Sequence, residues 1–84
     1  MLISYPAIFR KSKENDGWWN VSFPDIWGGI TCGNSFDNAI EMAKDFLKCI
    51  HKLSPEQLVK ASSLEYTKTN FPNEIVMQIE IDDD

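Results

Sequence analysis

One stretch of this chain decides what the rest must build. From Phe36 onward apolar residues recur at helical spacing: at about 100° per residue, Phe36, Ala39, Ile40, Ala43, Phe46, Leu47 and Ile50 fall in one stripe. Asp37, Glu41, Lys44, Asp45, Lys48 and Lys52 fall opposite. Ser35 stands where an N-cap belongs, Asp37 lies in the first turn where the helix dipole favours an anion, and Asn38 holds the place of a capping-box Glu. The stripe needs a sheet to pack against. Met42, Cys49 and Leu53 widen it on one flank, so the C-terminal segment or another subunit is expected to cover them.

The sheet is written on either side of that helix. Residues 2–9 alternate at period two, with Ile3, Tyr5, Ala7 and Phe9 on one face and Leu2, Pro6 and Ile8 on the other. Pro6 cannot donate to a ladder, which requires an edge strand or an unpaired site. A polar loop over residues 10–17 leads to a second strand over 18–23. There Trp19, Val21 and Phe23 share one face and Trp18, Asn20 and Ser22 the other, the alternation of a sheet covered on one side only. Ile30, Thr31 and Cys32 between glycines predict a short third strand over residues 29–33. After the main helix, Ser54, Pro55 and Gln57 repeat a capping pattern and predict a short second helix through about Ala61; residues 62–73 read as a polar loop. A final strand over 74–81 alternates Ile75, Met77, Ile79 and Ile81 with Val76, Gln78 and Glu80, and Asp82 to Asp84 read as a solvated tail. The expectation is an α+β fold in the order βββααβ: a three-stranded antiparallel meander, a helix on one face, a short second helix and a last strand.

With 84 residues there is room for one domain only, spanning 1–84, and a core this small is a reason for self-association, here expected as a homodimer. The net charge of −5 disfavours a phosphate backbone as ligand and favours a basic protein partner. No apolar run reaches the roughly 18 residues of a membrane span, and the first residues lack the apolar core of a signal peptide, so the cytoplasm is the expected compartment. Cys32 and Cys49 lack the spacing of a zinc site or a disulfide framework and read as buried free thiols.

Chemistry has few places to hide. Asp25, Glu41, Asp45 and Glu80 are the carboxylates within ordered elements, and they do not converge as a metal-dependent nuclease requires. Glu41 and Asp45 alternate with Lys44 and Lys48 on the polar helical face. General-base work at His51 would need an orienting partner that the sequence does not show, no serine sits in a nucleophile elbow, and Gly28-Gly29 lacks the spacing and lysine of a phosphate loop. No catalytic residue, metal or cofactor is expected. The unusual feature is the loop Phe23-Pro24-Asp25-Ile26-Trp27-Gly28-Gly29, which carries more large apolar side chains than a turn readily buries. Either Trp27 folds back over the small core or it projects as an anchor for a partner, as tryptophans at binding hot spots do. Asp25 is expected to cap the turn through nearby backbone N–H groups. The candidate partner-binding residues are Trp27, Asp25, Ile26 and Trp18.

Tyr5-Pro6-Ala7, Gly17-Trp18 and Phe23-Pro24-Asp25-Ile26, followed by Gly28, Gly33 and Ala39, resemble the N-terminal domain of HicB-type antitoxins over residues 3–53. The chain departs from that pattern at Trp27 (commonly Pro), Gly29 (often Cys) and Asn38 (usually Glu). The resemblance implies a partial RNase H-like fold without the nuclease's full acidic site. It also implies a role in binding and neutralising a small basic HicA-type toxin that cleaves mRNA. Family members typically add a C-terminal DNA-binding domain, and the expectation is that these 84 residues do not hold one. Two other readings compete: a stand-alone RNA-binding or RNase H-like module whose aromatics stack on bases, and an orphan HicB-like domain that has lost its toxin.

Overall fold

The computed structural model describes residues 2–82. Four strands form one antiparallel sheet in the order β3-β2-β1-β4: β1 (Leu2–Lys11), β2 (Trp19–Ser22), β3 (Ile30–Gly33) and β4 (Ile75–Asp82). The expected meander is present, and the last strand joins it beside β1. α1 (Phe36–Leu53) crosses one face of the sheet, and a short α2 (Leu64–Asn70) follows.

The start of α1 is fixed much as its sequence suggests. The Ser35 hydroxyl accepts from the Asn38 N–H at 3.0 Å, and Asn38 Oδ1 accepts in return from the Asn34 N–H at 3.0 Å, one residue before the cap. Asn38 thus does the work of the capping-box Glu with a shorter reach. The helix lies close against β3 because Gly33 has no side chain: a Cβ there would stand 2.4 Å from the Ala39 backbone nitrogen. Ala39, Ala43 and Leu47 then face Ile3, Tyr5, Ala7, Phe9, Val21, Ile79 and Ile81 in the core. Phe36 closes one end against Phe9 and Trp19, at centroid distances of 5.3 and 4.9 Å, and Phe46 stacks on Phe23 at 5.4 Å toward the other.

The position of Pro6 follows from the phase of the ladder. The Phe23 N–H donates to the Gly29 carbonyl at 2.7 Å, so odd residues of β2 bond toward β3 and even ones toward β1. By the β1–β2 register, the even residues of β1 face β2. Pro6 therefore points its nitrogen to the β2 side, beyond the last pair Ile8↔Ser22, and no ladder bond is lost. β1 is a central strand, and the unpaired site is the one of the two sequence options that it uses.

Three expectations need correction. Residues 54–61 do not form a helix beyond a single 3-10 turn, Pro55–Gln57, and the second α-helix lies in the segment read as a loop. Its signal is local: the Ser63 hydroxyl caps it by accepting from the Tyr66 N–H at 3.0 Å. Nor is the sheet covered on one side only. Pro6, Ile8 and Val76, on the face away from α1, are buried together with Thr67 of α2, so α2 covers the β1–β4 half of the second face. Third, Cys32 and Cys49 are both exposed free thiols, each on a surface that no element among the described residues covers. Met42 and Leu53 are likewise exposed, and among the described residues the C-terminal segment does not cover that flank of α1. Asp82 ends β4, while Asp83 and Asp84 lie outside the described residues.

Candidate functional site

The loop between β2 and β3 is a tight, internally bonded turn. Beyond the Phe23–Gly29 bond, the Ile26 N–H donates to the Phe23 carbonyl at 3.1 Å and the Gly29 N–H to the Ile26 carbonyl at 3.0 Å. Gly28 adopts φ 70°, a conformation in which a side chain is strained. These bonds turn consecutive residues in opposite directions. Ile26 points inward and is 3% exposed, in the core beside Phe23, whereas Trp27 points outward and is 88% exposed. Of the two alternatives for Trp27, folding back over the core is not what occurs.

Asp25 has a different role from a local cap. One carboxylate oxygen accepts from the Ser62 N–H at 2.9 Å and the other from the Ser62 hydroxyl at 2.8 Å, so the loop is tied to a residue 37 positions later. A second tie runs alongside: the Tyr5 hydroxyl donates to the Val59 carbonyl. Burial, and secondarily the nearby Asp25 charge, push the Tyr5 phenol above its ordinary value of 10.0, so it keeps the proton it donates. The segment between α1 and α2 is thereby held against both β1 and the loop that presents Trp27. Between the loop and α2, a cleft of about 450 Å³ is lined by Pro24, Asp25, Ser62, Tyr66, Asn70 and Phe71 among others.

The four sequence candidates do not assemble into one site. Trp27 is the exposed member, Asp25 and Ile26 hold its loop from beneath, and Trp18 lies at the far end of β2, 41% exposed beside the hairpin turn closed by Gly17. Sequence reasoning missed two contributors. Ile30, 72% exposed at the start of β3, was read only as a strand former, and Tyr66, 62% exposed, lies in a helix read as loop. Only the Ser63 cap could have pointed to the second. Among the described residues no group of three or more His, Cys, Asp or Glu side chains could hold a metal ion, and no helix is long and apolar enough to cross a membrane.

The site is thus a fastened loop on a small α+β domain that presents one nearly bare tryptophan. The chain matches the family model of the HicB-like antitoxins of bacterial toxin–antitoxin systems over residues 5–84, and it belongs to that family. Its fold is similar to the crystal structure of the N-terminal domain of the Burkholderia pseudomallei antitoxin HicB, with a TM-score of 0.71 at 19% identity, over 95% of this chain and 99% of that one. A crystal structure described as the Burkholderia pseudomallei antitoxin HicB aligns with a TM-score of 0.65, also at 19% identity, over 95% of this chain but 62% of its own length. No match was found among curated proteins.

Proposed function

We propose that this chain acts as an antitoxin by direct, non-catalytic binding of a small basic toxin of the HicA type, in the cytoplasm and as a self-associating protein. The observation that carries the reading is Trp27: a large ring, 88% exposed, on a loop fixed by three internal hydrogen bonds and two side-chain ties. A rigid, exposed aromatic loses little entropy on docking, which is why such residues dominate binding energy. The net charge of −5 supports a basic partner by steering it. In this arrangement Trp27 is the anchor, Asp25 and Ile26 fix its position, and Trp18 touches only a partner that spans β2.

The test is titration of the purified chain with a small basic toxin of the HicA type, together with rescue of growth when both are co-expressed. Binding and rescue are expected. Trp27→Ala should weaken binding by about 2 kcal/mol or more, roughly 30-fold. Unchanged affinity in that variant would remove Trp27 from the interface, and absence of both binding and rescue would remove the antitoxin reading itself.

A further inference from the structure

The sheet has two edges, and they differ in the property that governs self-pairing. Natural edge strands are guarded by charge, lysine or proline, because an open row of N–H and C=O groups is a template for another strand. β4 is guarded. Since Pro6 cannot donate to it, the pair Pro6↔Gln78 is a non-bonded one, and the N–H groups of residues 76, 78, 80 and 82 point outward. Glu80 and Asp82 lie on that outward row, so a second copy pairing there would set carboxylates against carboxylates.

β3 has no such guard. From Ile26 to Phe36 the chain carries no charged residue, in a molecule of net charge −5. The ladder phase set by Phe23 and Gly29 turns the N–H and C=O of Ile30 and Cys32 away from β2. The Ile30 N–H is taken by the Gly28 carbonyl at 2.9 Å, and beyond the strand the Asn34 N–H is taken by Asn38 Oδ1 at 3.0 Å. Cys32, in the middle of this edge, is left presenting its N–H and C=O outward. Apolar surface continues on both sides. Ile30 is 72% exposed, and Met42, 38% exposed, lies on the flank of α1 that carries Phe46, the ring stacked on Phe23.

We infer that a second copy of this chain pairs with β3 in antiparallel fashion about a two-fold axis at Cys32, joining two four-stranded sheets into one. The inference rests on the self-association proposed above and adds the place and the register. The two Cys32 residues exchange both N–H···O bonds at a Cα separation of roughly 5.5 Å, on the face away from α1. The Met42 flanks of the two α1 helices approach on the other face and shed exposed apolar area. Charge selects the occupant: two copies of like net charge repel least where neither carries charge, whereas a basic partner gains nothing from a neutral edge.

The test uses the full chain with Cys49→Ser, which leaves Cys32 as its only thiol. Sedimentation should give a dimer, and a short bis-maleimide should join it through Cys32. Cys32→Pro removes the outward N–H without touching the β2–β3 ladder and should lower the sedimenting mass roughly two-fold to the monomer. Glu80→Pro, the same change at the other edge, should leave the dimer intact. If Cys32→Pro fails to fold by circular dichroism, Ile30→Lys, which charges the same edge from an exposed position, must give the monomer instead. A dimer that persists in these β3 variants, or that does not crosslink at Cys32, overturns the edge and leaves self-association standing. A monomer at high micromolar concentration overturns both.

Discussion

Against α1 the sheet presents Ile3, Tyr5, Ala7, Phe9, Val21, Ile79 and Ile81, all buried and closed at one end by Phe36 and Trp19. Its second face divides. Over β1 and β4, Pro6, Ile8 and Val76 are buried with Thr67 of α2, whereas over β2 and β3, Trp18, Asn20, Ile30 and Cys32 remain exposed. The sheet is continuous, so strand-forming propensity does not distinguish the halves; what distinguishes them is whether the chain supplies a cover. The covered surfaces hold the fold, and the bare half with its adjoining loop carries the surfaces proposed above for a partner and for a second copy.

The sharpest way to break that division is from the α1 side. Phe9 is 1% exposed and packs on Phe36, and Phe9→Ala should cost about 3–5 kcal/mol, a large share of the roughly 5–15 kcal/mol typical of a whole domain. Thermal or urea unfolding would measure it. Ile8, 2% exposed on the other face, tests whether α2 builds a genuine second core: Ile8→Ala should cost about 2–4 kcal/mol by the same measurement. A loss below about 1 kcal/mol would mean that α2 is only loosely laid over the sheet and that both halves of that face are open.

Gly33 probes the contact between the two layers. With the Ala39 backbone nitrogen 2.4 Å and its Cα 2.5 Å from a notional Cβ, Gly33→Ala must lift the start of α1 off β3. The expected cost is about 1–3 kcal/mol, with the near-ultraviolet signal of Trp19, which packs on Phe36, altered at the same time.

These surfaces were unequally legible in the sequence. The α1 stripe and the alternation of β1, β2 and β4 repeat with fixed periods, so the core on that side could be listed residue by residue. α2 could not, because Leu64–Asn70 is too short for a period and its cap at Ser63 resembles the one at Ser54, where only a 3-10 turn forms. The tie from Asp25 to Ser62 joins residues far apart in sequence, and no local pattern encodes it. The bare flank was half legible: the over-wide arc of Met42, Cys49 and Leu53 was visible on the helical wheel, while Cys32 and Cys49 were misplaced because composition alone treats a free thiol as a core residue.

The smallest effect is expected at the residue that matters most to the proposed partner. Ile26 and Trp27 are neighbours in one loop, yet the first is 3% exposed and the second 88%. Ile26→Ala removes buried methyl groups from beside Phe23 and should cost about 2–4 kcal/mol of stability. Trp27→Ala removes a larger side chain that the folded chain scarcely covers, and its stability should stay within about 0.5 kcal/mol of the parent, because truncation at an exposed site leaves no cavity. The backbone bonds of the loop involve neither side chain, so both variants should keep the turn itself. If Trp27→Ala instead lowers the unfolding free energy by about 3 kcal/mol or more, the ring must be buried in the protein in solution, against this chain or against a second copy. Repeating the melt across a range of protein concentrations separates those two outcomes, since only a loss through the dimer depends on concentration.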